Sequence, residues 1–75
     1  MKLPIVSSKE LCQFLKKEGF IQKRQSGSHK FFKHQDGRTT VVPYHTNKDI
    51  SRGLLKAILE EIEISRNYFL RKYKK

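Results

Sequence analysis

The segment Ser28-His29-Lys30-Phe31-Phe32-Lys33-His34-Gln35-Asp36-Gly37-Arg38-Thr39-Thr40-Val41-Val42-Pro43-Tyr44 holds two runs rich in aromatic and β-branched residues, separated by Gln35-Asp36-Gly37-Arg38. An Asp-Gly pair between such runs is a strong hairpin signal, so strands are predicted over 28–34 and 39–44. Pro43 has no amide to donate to a ladder, which places the second of these strands at a sheet edge. Upstream, Phe20 to Gln25 reads as another strand, closed by Ser26-Gly27. A two-residue turn at Asp36-Gly37 sets Phe31 opposite Val42 and His29 opposite Tyr44. Cross-strand partners share a face, so these four residues are expected on one side, with Phe31 and Val42 beneath the helices and His29 at the margin of the core.

Helical signals flank this meander. Ser7-Ser8-Lys9-Glu10 has the form of a capping box, Val6 can staple against Leu11, and Leu11, Phe14 and Leu15 repeat at helical spacing. Gly19 suits the left-handed residue that ends a helix, so the first helix is predicted over about 8–18. After the polar loop His45-Thr46-Asn47-Lys48-Asp49, Ser51 can cap a second helix and Ile50 can staple against Leu55. The stripe Leu54, Leu55, Ile58, Leu59 and Ile62 has only the sheet to cover. Ser65 can cap a short last helix through Tyr68, Phe69 and Leu70, ahead of a basic tail, 71–75, expected to fray. The predicted fold class is α+β: a double-stranded-RNA-binding-like fold in one domain, 1–75. It has a three-stranded antiparallel sheet with two main helices on one face (α-β-β-β-α) and a short C-terminal helix.

A chain of 75 residues buries only about 60% of its unfolded surface, which leaves no room for a large private cofactor pocket. Its 17 Lys and Arg against 7 Asp and Glu, a net charge of +10, make a polyanion the first partner to consider. The lone Cys12 excludes an internal disulfide and reads as buried filler on the first helix. No apolar run is long enough to span a bilayer and no signal-peptide pattern opens the chain, so a cytoplasmic protein is expected.

Gly27-Ser28 before His29 combines a permissive glycine with exposed amides that can receive a phosphate oxygen, although an ordinary hairpin turn explains the pair equally well. His29 and His34 are five residues apart, which on a continuous strand sends them to opposite faces. No Cys-x-x-Cys, His-x-x-x-His or acidic cluster is present, so no metal site and no cofactor is expected. Metal-free RNA cleavage needs a base for the 2′-hydroxyl proton, an acid for the leaving 5′-oxygen and cations for the phosphorane charge. An imidazole with an ordinary pKa of about 6.5 suits either proton role. His29 is the candidate for proton transfer, His45 is a candidate second proton carrier, and Lys30 is a phosphate-binding candidate on the opposite strand face. A structural histidine at this position is the competing reading.

The ordered set Gly27-Ser28-His29, His34-Gln35-Asp36-Gly37-Arg38, Val42-Pro43-Tyr44-His45-x-Asn47-Lys48, Ile50 and Leu54-Leu55-Lys56-Ala57-Ile58-Leu59 resembles the HicA family of toxins from toxin-antitoxin pairs, over roughly 8–70. The resemblance implies a double-stranded-RNA-binding-like fold, ribosome-independent cleavage of mRNA and neutralisation by a HicB-type antitoxin. It also implies that the histidine of the Gly-Ser-His motif, here His29, is catalytic. Two positions depart from the family pattern: Lys30 stands where many members have a second histidine, and Gln35 where the turn usually has proline.

Taken together, the sequence predicts an RNA endonuclease toxin with His29 as general base or acid. Gly27, Ser28, Lys30, Lys48, Arg52 and Lys56 are its RNA-contact residues, the last three lying where related folds meet the phosphate backbone. The alternative is a non-catalytic RNA-binding module, which would bind with steep salt dependence and leave RNA intact.

Overall fold

Three serines set where the helices begin. In a computed structural model that describes residues 2–46 and 48–73, Ser7 Oγ accepts the Glu10 amide at 3.0 Å and Glu10 Oε1 accepts the Ser7 amide at 2.9 Å, the predicted capping box. Ser51 Oγ accepts from the Leu54 amide and Ser65 Oγ from the Tyr68 amide. Each cap satisfies an amide that the helix itself leaves without a partner. The elements run β1 (Val6–Ser7), α1 (Ser8–Lys17), β2 (Phe20–Ser26), β3 (His29–His34), β4 (Thr39–Pro43), β5 (Asp49–Ile50), α2 (Arg52–Glu61) and α3 (Arg66–Lys72). The readings made for Asn47 and for Lys74-Lys75 of the basic tail lie outside the described residues.

Gly19 follows α1 with φ +95, as its helix-ending role requires. The end of α2 uses the same device without a glycine. Glu63 adopts φ +59, its amide bonds to Glu60 O, and the Ile64 amide reaches back to Leu59 O at 2.9 Å, closing the last turn.

The sheet is the antiparallel meander β2-β3-β4, with β4 and its proline at an edge as predicted. β1 and β5 form a separate two-stranded pair, Val6 with Ile50 and Ser7 with Asp49. That pair has no counterpart in the sequence reading, because two residues carry no periodicity.

The register of the β3–β4 hairpin differs by one residue from the expectation. His34 donates its amide to Arg38 O at 2.8 Å and Gly37 donates to His34 O at 2.9 Å, so the loop is Gln35-Asp36-Gly37, three residues long, with Gly37 at φ +102. Three-residue hairpin loops ending on a left-handed residue are the next most common after two-residue ones. His29 therefore pairs with Pro43 and Phe31 with Val41, not with Tyr44 and Val42. Because the side-chain period is two, the slip sends His29 and Phe31 to the face away from the helices. Phe32 at 1% exposure and Val42 at 0% occupy the inner face in their place.

Both main helices cover that inner face. Leu11, Phe14 and Leu15 of α1, Leu55, Ile58 and Leu59 of α2, and Phe69 of α3 share one apolar cluster with Phe20, Phe32 and Val42. Cys12 belongs to the same cluster, and burial pushes its thiol pKa up against the opposing pull of Lys30 and Lys16. Leu54, expected in the α2 stripe, is 36% exposed: its neighbours Leu55, Ile58, Leu59 and Ile62 follow the spacing of one helical face, and Leu54 falls on its flank. Thr40, buried on the inner face, donates its hydroxyl to Glu61 Oε1 at 2.8 Å and so ties β4 to α2. Arg38 donates from Nη1 to Ile62 O at 2.7 Å, placing a cation at the C-terminal end of α2, where the helix dipole favours it. Its guanidinium also holds the Asp36 carboxyl below the usual carboxylate range.

Candidate functional site

Gly27-Ser28 forms the two-residue connection between β2 and β3, since Ser26 and His29 are paired. Gly27 takes φ +59, and a positive φ at the first loop position is the pattern of a type II′ hairpin turn, which demands glycine there. The loop is open: nothing lies within 4 Å of where a Gly27 side chain would begin. On its far side the Tyr44 amide donates to Ser28 O, extending the β3–β4 ladder past Pro43.

His29 opens β3 on the outer face, flanked by Ser26 on β2 and Pro43 on β4. It is exposed, and its imidazole makes no hydrogen bond among the described residues. This corrects its expected place at the core margin, and it leaves both ring nitrogens available to a bound molecule. His34 stands on the other face in a different condition. Its Nδ1 accepts the Asp36 amide at 3.1 Å, its ring meets Phe20 edge-on at 5.0 Å, and Nε2 lies 2.9 Å from where a Gly19 Cβ would stand. The two histidines thus occupy opposite faces, as their spacing predicts, and His34 is a packed structural histidine.

Ser8 organises the loop beside His29. It is 1% exposed, and its hydroxyl is within reach of Pro43 O at 3.1 Å and Lys48 O at 3.5 Å, while the His45 amide lies 3.5 Å from the same oxygen. The Ser8 amide also donates to Lys48 O at 3.1 Å. One buried serine at the start of α1 therefore holds both ends of the segment carrying His45, which is exposed and adjoins Tyr44, the residue opposite Ser28. Sequence reasoning missed Ser8, which the chain marks only as a neighbour of the cap.

The remaining candidates divide. Lys30 lies on the inner face, half-buried, with Nζ 3.6 Å from the Tyr44 ring centroid, a cation–π contact. Lys48 is exposed, and its carbonyl is taken up by Ser8. Arg52 and Lys56 meet Lys2, Leu3, Gly53 and Arg66 around a concavity of about 590 Å³, with Arg52 Nε donating to Leu3 O at 2.7 Å. That basic concavity, to which Lys2 and Arg66 were not assigned in advance, is lined by none of the sheet residues.

No residue of β2, β3 or β4 is acidic. Among the described residues no helix is long and apolar enough to cross a membrane. The fold and site define a small basic α+β protein with a three-stranded sheet, two covering helices and a solvent-facing histidine beside a glycine hairpin loop. A family model for the HicA toxin of bacterial toxin-antitoxin pairs matches residues 8–64, and the chain belongs to that family. Membership implies an antitoxin partner. No curated protein matches the chain.

Proposed function

We propose that this chain is an endoribonuclease toxin that cleaves mRNA without a metal ion and without the ribosome, in the cytoplasm, with His29 as its general base or acid. The observation that carries the reading is the solvent-facing, unbonded imidazole of His29 at the end of a basic strand in a member of the HicA toxin family. In the base role, neutral His29 takes the proton of a ribose 2′-hydroxyl as that oxygen bonds to phosphorus. The bond to the 5′-oxygen breaks, and that oxygen takes a proton from His45 or from water, leaving a 2′,3′-cyclic phosphate and a 5′-hydroxyl. Such proton transfer contributes about 10²–10⁴-fold to rate. The open amides of Gly27-Ser28 suit a phosphate oxygen, and Arg52 and Lys56, with Lys48, suit the flanking backbone. Helix, three antiparallel strands, helix is also the order of elements in double-stranded-RNA-binding domains, which supports RNA as the polyanion. Lys30, turned onto Tyr44, contributes field more than contact.

A cell that makes such an enzyme must cover its site, and the acid-free basic sheet suits an acidic surface on a HicB-type antitoxin. The decisive experiment incubates purified protein and RNA with a chelator and identifies the product ends. Cyclic-phosphate ends from the wild type and a loss of at least about 10²-fold in His29→Ala are expected. Equal cleavage by His29→Ala removes the catalytic assignment, and intact RNA throughout leaves a binding module. Replacing Arg52 or Lys56 with Ala should lower the log–log salt slope of RNA binding by about 1 for each phosphate the side chain neutralises.

A further inference from the structure

Among the described residues, no helix covers the outer face of the sheet, the face on which His29 stands. Phe31 stands at its centre, two residues along β3 from His29, between Arg24 on β2 and Val41 on β4. Apolar surface is exposed around it, Ile21 at 60% and Val41 at 36%. The Arg24 guanidinium lies 4.4 Å from the Phe31 ring centroid, and Lys33 follows on the same strand face. An aromatic ring on an open sheet, bordered by cations and free of acids, is the composition that single-stranded nucleic acid uses: bases stack on rings while arginine and lysine meet phosphates. Residues two apart on a strand are separated by roughly 7 Å, about the distance from a nucleobase to a neighbouring ribose hydroxyl.

We propose that this face is a stacking platform for single-stranded RNA, in which one base takes the place of Arg24 on the Phe31 ring, Arg24 turns to the adjoining phosphate, and the next ribose is delivered to His29. The proposal rests on the reading of this protein as an RNA endonuclease and names which form of RNA its site accepts. A duplex keeps its bases stacked on one another and has none to lend to a flat sheet, so unpaired segments bind here and paired ones do not. Phe31 is a positioning residue in this scheme, and His29 is the group that touches the reacting atoms.

The test uses full-length His29→Ala protein, which holds RNA uncleaved, with a fluorescent single-stranded oligoribonucleotide and its duplex. The single strand should bind more tightly, and adding Phe31→Leu, which keeps apolar bulk so that the fold survives, should weaken it roughly five- to a hundredfold. Phe31→Trp gives this tryptophan-free chain one indole; its affinity should be retained and its fluorescence quenched as RNA is added. Arg24→Gln should keep the quenching and lower the salt slope by about 1. Unchanged affinity for Phe31→Leu with an unquenched indole overturns the platform in favour of a protein occupant, while the RNA reading stands. A His29→Ala chain that binds neither RNA form overturns both.

Discussion

On β3, His29, Phe31 and Lys33 point to one face and Lys30, Phe32 and His34 to the other, so each face receives one histidine, one phenylalanine and one lysine. Their surroundings differ throughout. Phe32 is 1% exposed beneath the helices, whereas Phe31 is half-buried with Arg24 on its ring. His34 is locked by the Asp36 amide, Phe20 and the gap left by Gly19, whereas His29 has no partner among the described residues. Lys30 lies over Tyr44 while Lys33 is exposed. Residue type therefore does not decide which of two identical sets becomes core and which becomes site; the length of one loop does.

The contrast is tested most severely by removing each phenylalanine in turn. Phe32→Ala should cost about 3–5 kcal/mol, comparable with all that a core of this size supplies, and leave the chain largely unfolded in a urea titration. Phe31→Ala should cost about 1 kcal/mol or less, and equal losses would break the comparison. Next in size is Gly19→Ala, which strains a residue at φ +95 and pushes a methyl against His34; a loss of about 1–2 kcal/mol is expected, with His34 disturbed in its NMR spectrum and His29 unmoved. Thr40→Val removes the hydroxyl that binds Glu61 and should cost about 1 kcal/mol, read from the denaturation midpoint. The smallest effect concerns Cys12, whose folded pKa is raised by burial. A raised pKa means that the neutral thiol's contribution is whole below the unfolded value of about 8.5 and is lost as pH rises through the folded value. The wild type should therefore lose stability in that alkaline window, Cys12→Ala should lose less, and Cys12 should react slowly with thiol reagents until the protein unfolds.

The helices were legible because their signals are local. Ser7, Ser51 and Ser65 bind amides three residues on, and the apolar spacings of α1 and α2 name their own buried faces, Leu54 excepted. The order of the three helices and of β2, β3 and β4 followed from these and equally local turn signals, whereas β1 and β5 left none. The register of β3 against β4 was not legible, because His-Lys-Phe-Phe-Lys-His reads the same from either end and offers each parity the same faces. Val41-Val42 and Thr39-Thr40 opposite are equally indifferent. Only the loop could break the tie, and Asp36-Gly37 fits a two-residue turn as well as the end of a three-residue one. For the candidate site, Gly27-Ser28-His29 was visible as a motif, and the exposure of His29 depended on that register. Ser8 was missed because its partners are backbone carbonyls 35 and 40 residues away, and Lys2 and Arg66 because the concavity they line exists only after α2 and α3 are placed.

The region that matches the family ends at residue 64, but the packing continues past it. Phe69 of α3 is fully buried, meets Phe14 edge-on at 4.8 Å and is stacked at 5.1 Å by Tyr73, whose hydroxyl is pushed up to about 12 by burial and by Glu10 nearby. A boundary drawn by sequence pattern would cut through a folding unit here. Any shortened version must keep α3 and its following tyrosine, for a chain stopped at residue 64 would present a bare Phe14 to water and aggregate through the wound.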